Sequence, residues 1–237
     1  MSVAARADLE SLLRLKKLDH TLISTQPPAD AADARWVVPT GVAELDARLQ
    51  GGIPRGHLSE LVGRRSSGRL AVALSALAGA TSRGEAVALV DPLDTFDPVS
   101  AEASGIDFTR MLWIRGQASS SARVSLFSEF GTLQRSLDSA VKALNLVLQA
   151  GGFGLVALDL AEVAPQVLRR LPFTTWLRLH RVIEGSETAC VLIGSEPLAR
   201  SAGGVTVQLE SGKARVIGSR ALEIEKDVCV SLSAAVC

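Results

Sequence analysis

Cysteine is scarce in this chain of 237 residues, and so are histidine and the aromatics: Cys 3, His 3, Phe 6, Trp 3 and no tyrosine at all. Cys190, Cys229 and Cys237 stand at no metal-ligand or redox spacing. That excludes a cysteine zinc module and a dithiol centre, and leaves reduced thiols in a cytosolic setting. An excess of one charge is also missing, with Lys+Arg 25 against Asp+Glu 25. No global field therefore draws the chain to nucleic acid, and a DNA contact would need a local basic patch or a partner. No run of about 18 apolar residues is there to span a membrane. The first residues are charged (Arg6, Asp8, Glu10) and hold no apolar signal-peptide core, so a cytoplasmic location is expected. What is present is globular: 47% hydrophobic and 21% charged residues support a sizeable core, in one domain with appendages.

Three segments follow from the pattern. Residues 1–24 hold an amphipathic helix whose Leu9, Leu12 and Leu13 form an i, i+3, i+4 stripe, continued by Leu15 and Leu18; Lys16 interrupts it. Residues 25–35 are a linker around Pro27-Pro28, without periodicity. Residues 36–237 form the core. A leucine stripe set apart by a linker needs an apolar surface, either on its own domain or on a second chain.

Within the core, Leu58, Leu61 and Val62 lead into Gly63-Arg64-Arg65-Ser66-Ser67-Gly68-Arg69-Leu70. A helix with Leu70, Leu74 and Leu77 as its apolar positions is expected to follow. Strand, glycine-bounded loop and helix make an anion cradle, because free glycine backbones let successive N–H groups wrap a phosphate at a positive helix end. The spacing Gly63-x-x-x-x-Gly68 is that of the nucleotide-binding P-loop. The two residues after it depart: Arg69 stands where a lysine reaches the phosphates, and Leu70 where a hydroxyl ligates magnesium. Weak, magnesium-insensitive anion binding with Arg69 at the mouth of the loop is the expectation, and efficient hydrolysis is not.

Ahead of this loop, residues 42–49 read as a short helix and Gly51-Gly52-Ile53-Pro54-Arg55-Gly56 as a turn cluster. After it come the apolar runs 86–90, 111–114, 155–159 and 189–193, read as strands buried on both faces. A long helix striped by Leu133, Leu137, Val141, Leu144 and Leu148 lies between the second and third, and a helical stretch interrupted at Pro172 between the third and fourth. Such alternation specifies an α/β fold with a mostly parallel sheet covered by helices on both faces. Residues 205–209, the turn Ser211-Gly212, residues 214–217 and the positions Leu222, Ile224, Val228, Val230 and Leu232 keep a period of two. They are expected as antiparallel strands extending one edge.

Pro39-Thr40-Gly41, Leu45-Asp46, Gly51-Gly52-Ile53-Pro54-Arg55-Gly56, Glu60, Gly63 and Ser66-Ser67-Gly68, in that register, resemble the opening of the RecA recombinase core. Asp91-Pro92-Leu93-Asp94-Thr95-Phe96-Asp97-Pro98 and Gly105-Ile106-Asp107 resemble its next stretch, and the Asp159 strand its Walker B strand. The resemblance covers residues 39–204 and implies a RecA-like fold. It makes Gly63, Ser66, Ser67, Gly68, Arg69 and Asp159 the candidate nucleotide-contacting residues. Asp159 also reads as a strand-end acid capping a turn.

The departures matter as much. Leu93 occupies the place of the family's water-activating glutamate, with Asp94 one residue off. Gly194-Ser195-Glu196 stands at the γ-phosphate sensor. The connection after Asp159 is nearly all helical, and residues 196–204 are short. Only Phe173 and Trp176, beside Arg169, Arg170, Arg178 and Arg181, approach a single-strand stacking site; a solvated helix face with one buried aromatic is the other reading. Together these features resemble the ImuA-type accessory proteins of bacterial mutagenic translesion synthesis. That resemblance implies a non-catalytic scaffold of SOS-induced, error-prone translesion synthesis, with no catalytic residue, no metal and no required cofactor, and at most weak ATP or ADP binding. The implied partner is a Y-family polymerase-like protein, with RecA and a second copy as further candidates, DNA contact indirect or weak, and no membrane. The alternative is a nucleotide-dependent, DNA-binding RecA paralogue of recombinational repair; a SulA-type division inhibitor fits less well.

Overall fold

The apolar runs lie side by side, because strands without polar positions must be covered on both faces. The computed structural model describes residues 36–116, 126–199, 201, 203–210, 213–218 and 228–229. The leucine helix of residues 1–24, the linker of residues 25–35, the Ser211-Gly212 turn, Arg200, Leu222, Ile224, Val230, Leu232 and Cys237 lie outside the described residues.

In chain order the elements are β1 (Val37–Val38), α1 (Ala43–Arg48), β2 (Ile53–Pro54), β3 (Leu58–Gly63), α2 (Arg69–Ser82), β4 (Val87–Asp91), α3 (Pro98–Ala103) and β5 (Met111–Arg115). Then come α4 (Leu126–Ala150), β6 (Leu155–Asp159), α5 (Pro165–Leu168), α6 (Phe173–Ile183), β7 (Ala189–Gly194), β8 (Val205–Glu210), β9 (Lys213–Gly218) and β10 (Val228–Cys229). The main sheet has the order β10-β9-β8-β3-β7-β6-β4-β5. It is parallel from β8 to β5, with β9 and β10 added antiparallel.

Strand residues alternate between two cores. Val87 and Leu89 pack with α1 and α2, while Ala88 and Val90 pack with α4, α5 and α6. Helix α2 is alanine-rich and ends at Gly84, whose φ of +87° suits a helix stop. Helix α4 buries Leu137, Leu144 and Leu148, with Leu133 and Val141 packed beside them, and Gly151 and Gly152 follow its end at φ +65° and +79°. Cys190 is fully buried, and burial pushes its thiol up to about 12.

The α/β architecture, the parallel sheet and the helices on both faces are as the sequence predicts. Four details differ. Leu70, expected on the apolar face of α2, is 40% exposed; it opens the helix where no core lies beneath. Strand β5 is half-buried, because it is the last strand of the sheet and has a neighbour on one side only. The turn cluster at 51–56 contains β2, which pairs antiparallel with β1. Strand β8, expected antiparallel, runs parallel to β3, and the antiparallel pairing begins only at β9.

Parallel strands bring their carboxyl ends to one edge. Register places Val62 beside Gly194, Gly63 beside Leu209, Asp159 beside Ile193 and Asp91 beside Arg115. That edge is where open α/β sheets bind ligands, and it holds every candidate site residue.

Candidate functional site

The loop after β3 has a P-loop's backbone. A Cβ on Gly63 would stand 2.4 Å from the Leu209 carbonyl oxygen and 2.5 Å from Ser67 Oγ, so only glycine fits beside β8. Gly68 caps α2 at φ +92°, and Ser66 adopts a left-handed φ of +61°. Arg64, Arg65 and Ser66 are exposed. Ser67 is buried, and its Oγ finds no hydrogen-bond partner among the described residues.

Arg69 does not stand at the mouth of the loop, where the sequence reading puts it. It is only 6% exposed. Its Nη1 donates to the carbonyls of Gly63 and, at 3.2 Å, Gly194; its Nη2 donates to that of Ala161 at 2.9 Å. The Glu162 carboxylate lies 3.9 Å away. A guanidinium has five donors and no acceptor, and here its fork ties the ends of β3 and β7 to the residues after β6. The charge is spent on backbone oxygens. The next residue, Leu70, has no oxygen for a metal.

Asp159 is buried, and its Oδ1 accepts from the Ala161 N–H at 2.9 Å. Burial pushes its carboxyl above the ordinary range, against that hydrogen bond and with help from the Asp91 charge. Asp91 is itself committed: its two oxygens accept from the Thr95 and Phe96 N–H groups at 3.0 and 2.9 Å. Leu93 packs against the core of α4 and α6 and has no proton acceptor. Asp94, at φ +57°, receives Arg115 through two bonds of 2.7 and 2.8 Å. The Arg115 hydrogen bond holds the Asp94 carboxyl below its ordinary range, opposite to what a general base near neutrality needs. At the sensor position, Ser195 Oγ is buried and has no partner among the described residues, while Glu196 pairs with Arg169 at 3.2 Å. Among the described residues no three His, Cys, Asp or Glu side chains gather as metal ligands.

One structural carboxylate enters the sequence reading only as part of the RecA-like opening, with no role assigned. Glu60, buried in the middle of β3, accepts from the Leu198 and Ala199 N–H groups at 2.6 and 2.9 Å and from Thr206 Oγ1 at 3.1 Å. It pins the connection after β7 to the sheet. The signal was an acid within the apolar strand Leu58-Ser59-Glu60-Leu61-Val62, because a charge there must be paired.

With this geometry in place, the comparisons bear on it. Residues 29–123 match the RecA N-terminal domain family. The core has a RecA-like fold. RecA of Symbiobacterium thermophilum is 44% identical over 77 residues, 32% of this chain and 22% of that protein. RecA of Saccharopolyspora erythraea is 43% identical over 132 residues, 55% and 33% of the two chains. RecA of Ruminococcus albus is 30% identical over 159 residues, 66% and 38%. The chain thus spans between 22% and 38% of the length of these relatives. Among the described residues no helix is long and apolar enough to cross a membrane.

Proposed function

We propose that this RecA-like chain is a non-catalytic accessory protein of damage-induced, error-prone translesion synthesis, acting through protein contacts with a Y-family polymerase-like partner. The observation that carries the non-catalytic part is Arg69. Phosphoryl transfer is achieved almost entirely by positioning and charge neutralisation, and here the cation that would do this is bound to the carbonyls of Gly63, Ala161 and Gly194. Leu70, Leu93 and the Arg115-bound Asp94 remove the metal ligand and the base as well. The residues present do not fit a magnesium nucleotide. The shared RecA sequence supports a place in DNA repair; the leucine stripe and the eroded site support the accessory role within it.

Without a competent site, function lies in surfaces, and Leu9, Leu12 and Leu13 supply the central contact. Burying one leucine is worth about 1.5–3 kcal/mol, so Leu12→Asp weakens binding of the full chain to the polymerase-like protein by roughly 10-fold or more. Binding titrations with both proteins, beside ATP turnover with and without single-stranded DNA, test the reading. DNA-stimulated hydrolysis at a recombinase-like rate, lost in Arg69→Ala, overturns it and favours the recombinase paralogue.

A further inference from the structure

The face of α6 and the groove beside it are used by nothing described above. Trp176 is buried at 3% exposure, yet Phe173 and Leu177, one turn apart on α6, stand 50% and 46% exposed. Phe173 and Trp176 border a groove of about 480 Å³ whose other walls include Leu168, Leu171, Pro197 and Leu198. Arg169 sits at its rim, bonded to Glu196 at 3.2 Å. Arg170, Arg178 and Arg181 are exposed and make no ion pair or hydrogen bond among the described residues. Residues three and four apart share a helix face, so Phe173, Leu177 and Arg181 form one stripe with Arg178 beside it. Glu184 lies past the last turn of α6, and Glu196, in the wall of the groove, is already paired with Arg169. In a chain of net charge +0, Arg170, Arg178 and Arg181 place a local excess of positive charge on and just before the helix that walls an apolar slot.

We infer that this groove docks an acidic amphipathic segment of a partner protein, one that sets an apolar side chain in the slot and its carboxylates against Arg170, Arg178 and Arg181. The inference rests on reading the chain as a scaffold and names the chemistry of its partner. Contiguous exposed apolar surface rimmed by charge marks an interaction site, and helix-in-groove recognition uses apolar anchors spaced at i, i+3 or i+4 and i+7. Charge complementarity selects the acidic partner and steers its approach. Nucleic acid fits less well. A stacking platform needs successive exposed rings, and with Trp176 buried only Phe173 offers one here.

The test uses the full chain and a short fluorescent peptide with leucine and phenylalanine at the anchor spacing and glutamate elsewhere. A scrambled peptide, a lysine-for-glutamate peptide and a thymidine oligonucleotide serve as comparators. The acidic striped peptide binds in the micromolar range and the comparators at least about 10-fold more weakly. Phe173→Asp weakens it by about 10-fold or more, and so does Arg170→Glu with Arg178→Glu, which also shifts preference toward the lysine peptide. Leu146→Asp, at an exposed position on α4, leaves binding unchanged, and circular dichroism confirms the fold of each variant. Peptide binding indifferent to these substitutions overturns the inference. So does tighter binding of the oligonucleotide at the same face, or self-association that the same substitutions abolish. A chain that binds the peptide but no polymerase-like protein refutes the proposed function and leaves the groove. One that binds the polymerase-like protein equally well with Phe173→Asp keeps the function and refutes the groove.

Discussion

Replacing Arg69 with alanine separates a structural guanidinium from a ligand-binding one by the sign of its effect. If Arg69 served a phosphate, its removal from the ligand-free protein would relieve repulsion with Arg64 and Arg65 and leave stability level or higher. The structure gives the opposite outcome, because its bonds to Gly63, Ala161 and Gly194 join three strand ends. A hydrogen bond to a charged group contributes about 1.5–3 kcal/mol net. The bonds are not additive, and the freed carbonyls at this edge regain water, so the loss is about 3 kcal/mol. For a domain of this size each kcal/mol moves the midpoint by roughly 2–4 °C, giving a fall of about 6–12 °C. Arg69→Lys recovers less than half, since one ammonium cannot span three carbonyls held by a planar fork. Thermal and urea unfolding followed by circular dichroism, without nucleotide, measure the effect. A variant Arg69→Ala that unfolds at or above the wild-type temperature would refute the reasoning.

Two further outcomes follow from buried carboxylates. Glu60→Ala leaves the Leu198 and Ala199 N–H groups without their acceptor, costing about 2–4 kcal/mol; hydrogen exchange rises at those two amides before it rises in β6, and equal protection there would count against the pinning role. Asp159 has a folded pKa above its unfolded value because of burial, so between the two values the native state holds the extra proton and stability falls as pH rises. Asp159→Asn is therefore more stable than wild type at neutral pH, and the gain shrinks as pH drops through that window; a gain independent of pH contradicts this assignment.

Strands such as β4 and β6 were legible because the buried runs 87–90 and 155–158 hold no polar position; β3, buried throughout, carries Ser59 and Glu60. The order of the strands in the sheet was not legible. Alternation in Val205-Thr206-Val207-Gln208-Leu209 reports one face more buried than the other, and says nothing about the direction of the neighbour, so the pattern alone does not distinguish a β8 parallel to β3 from an antiparallel one. Exposure of Leu70 was hidden for a related reason: spacing gives a face, and only the fold shows where the core beneath that face ends. At the site, the losses at Arg69, Leu70, Leu93 and Ser195 could be read directly, since each is a residue type that lacks a required atom. Where Arg69 turns instead could not. Two of its three acceptors are main-chain oxygens 92 and 125 residues away, and every residue type carries such an oxygen.

The polar groups at the carboxyl edge of the sheet are turned inward. In an open α/β sheet this edge serves ligands, and groups there normally keep donors or acceptors turned outward. Here Arg69 closes β3, β6 and β7 against one another, and Asp91 closes the turn after β4. Asp94 and Arg115 close β4 on β5, with the guanidinium stacked 4.4 Å over the Trp113 ring. Glu60 closes the connection after β7. Each of these charges would have to break an internal bond to meet a nucleotide. The arginines of α6, Arg178 and Arg181, carry no such commitment among the described residues. Charge satisfied within the fold stabilises it, and charge left over on an apolar face recognises something outside. On that division, the carboxyl edge of the sheet is closed on itself, and the proposed docking groove lies where charge is left over.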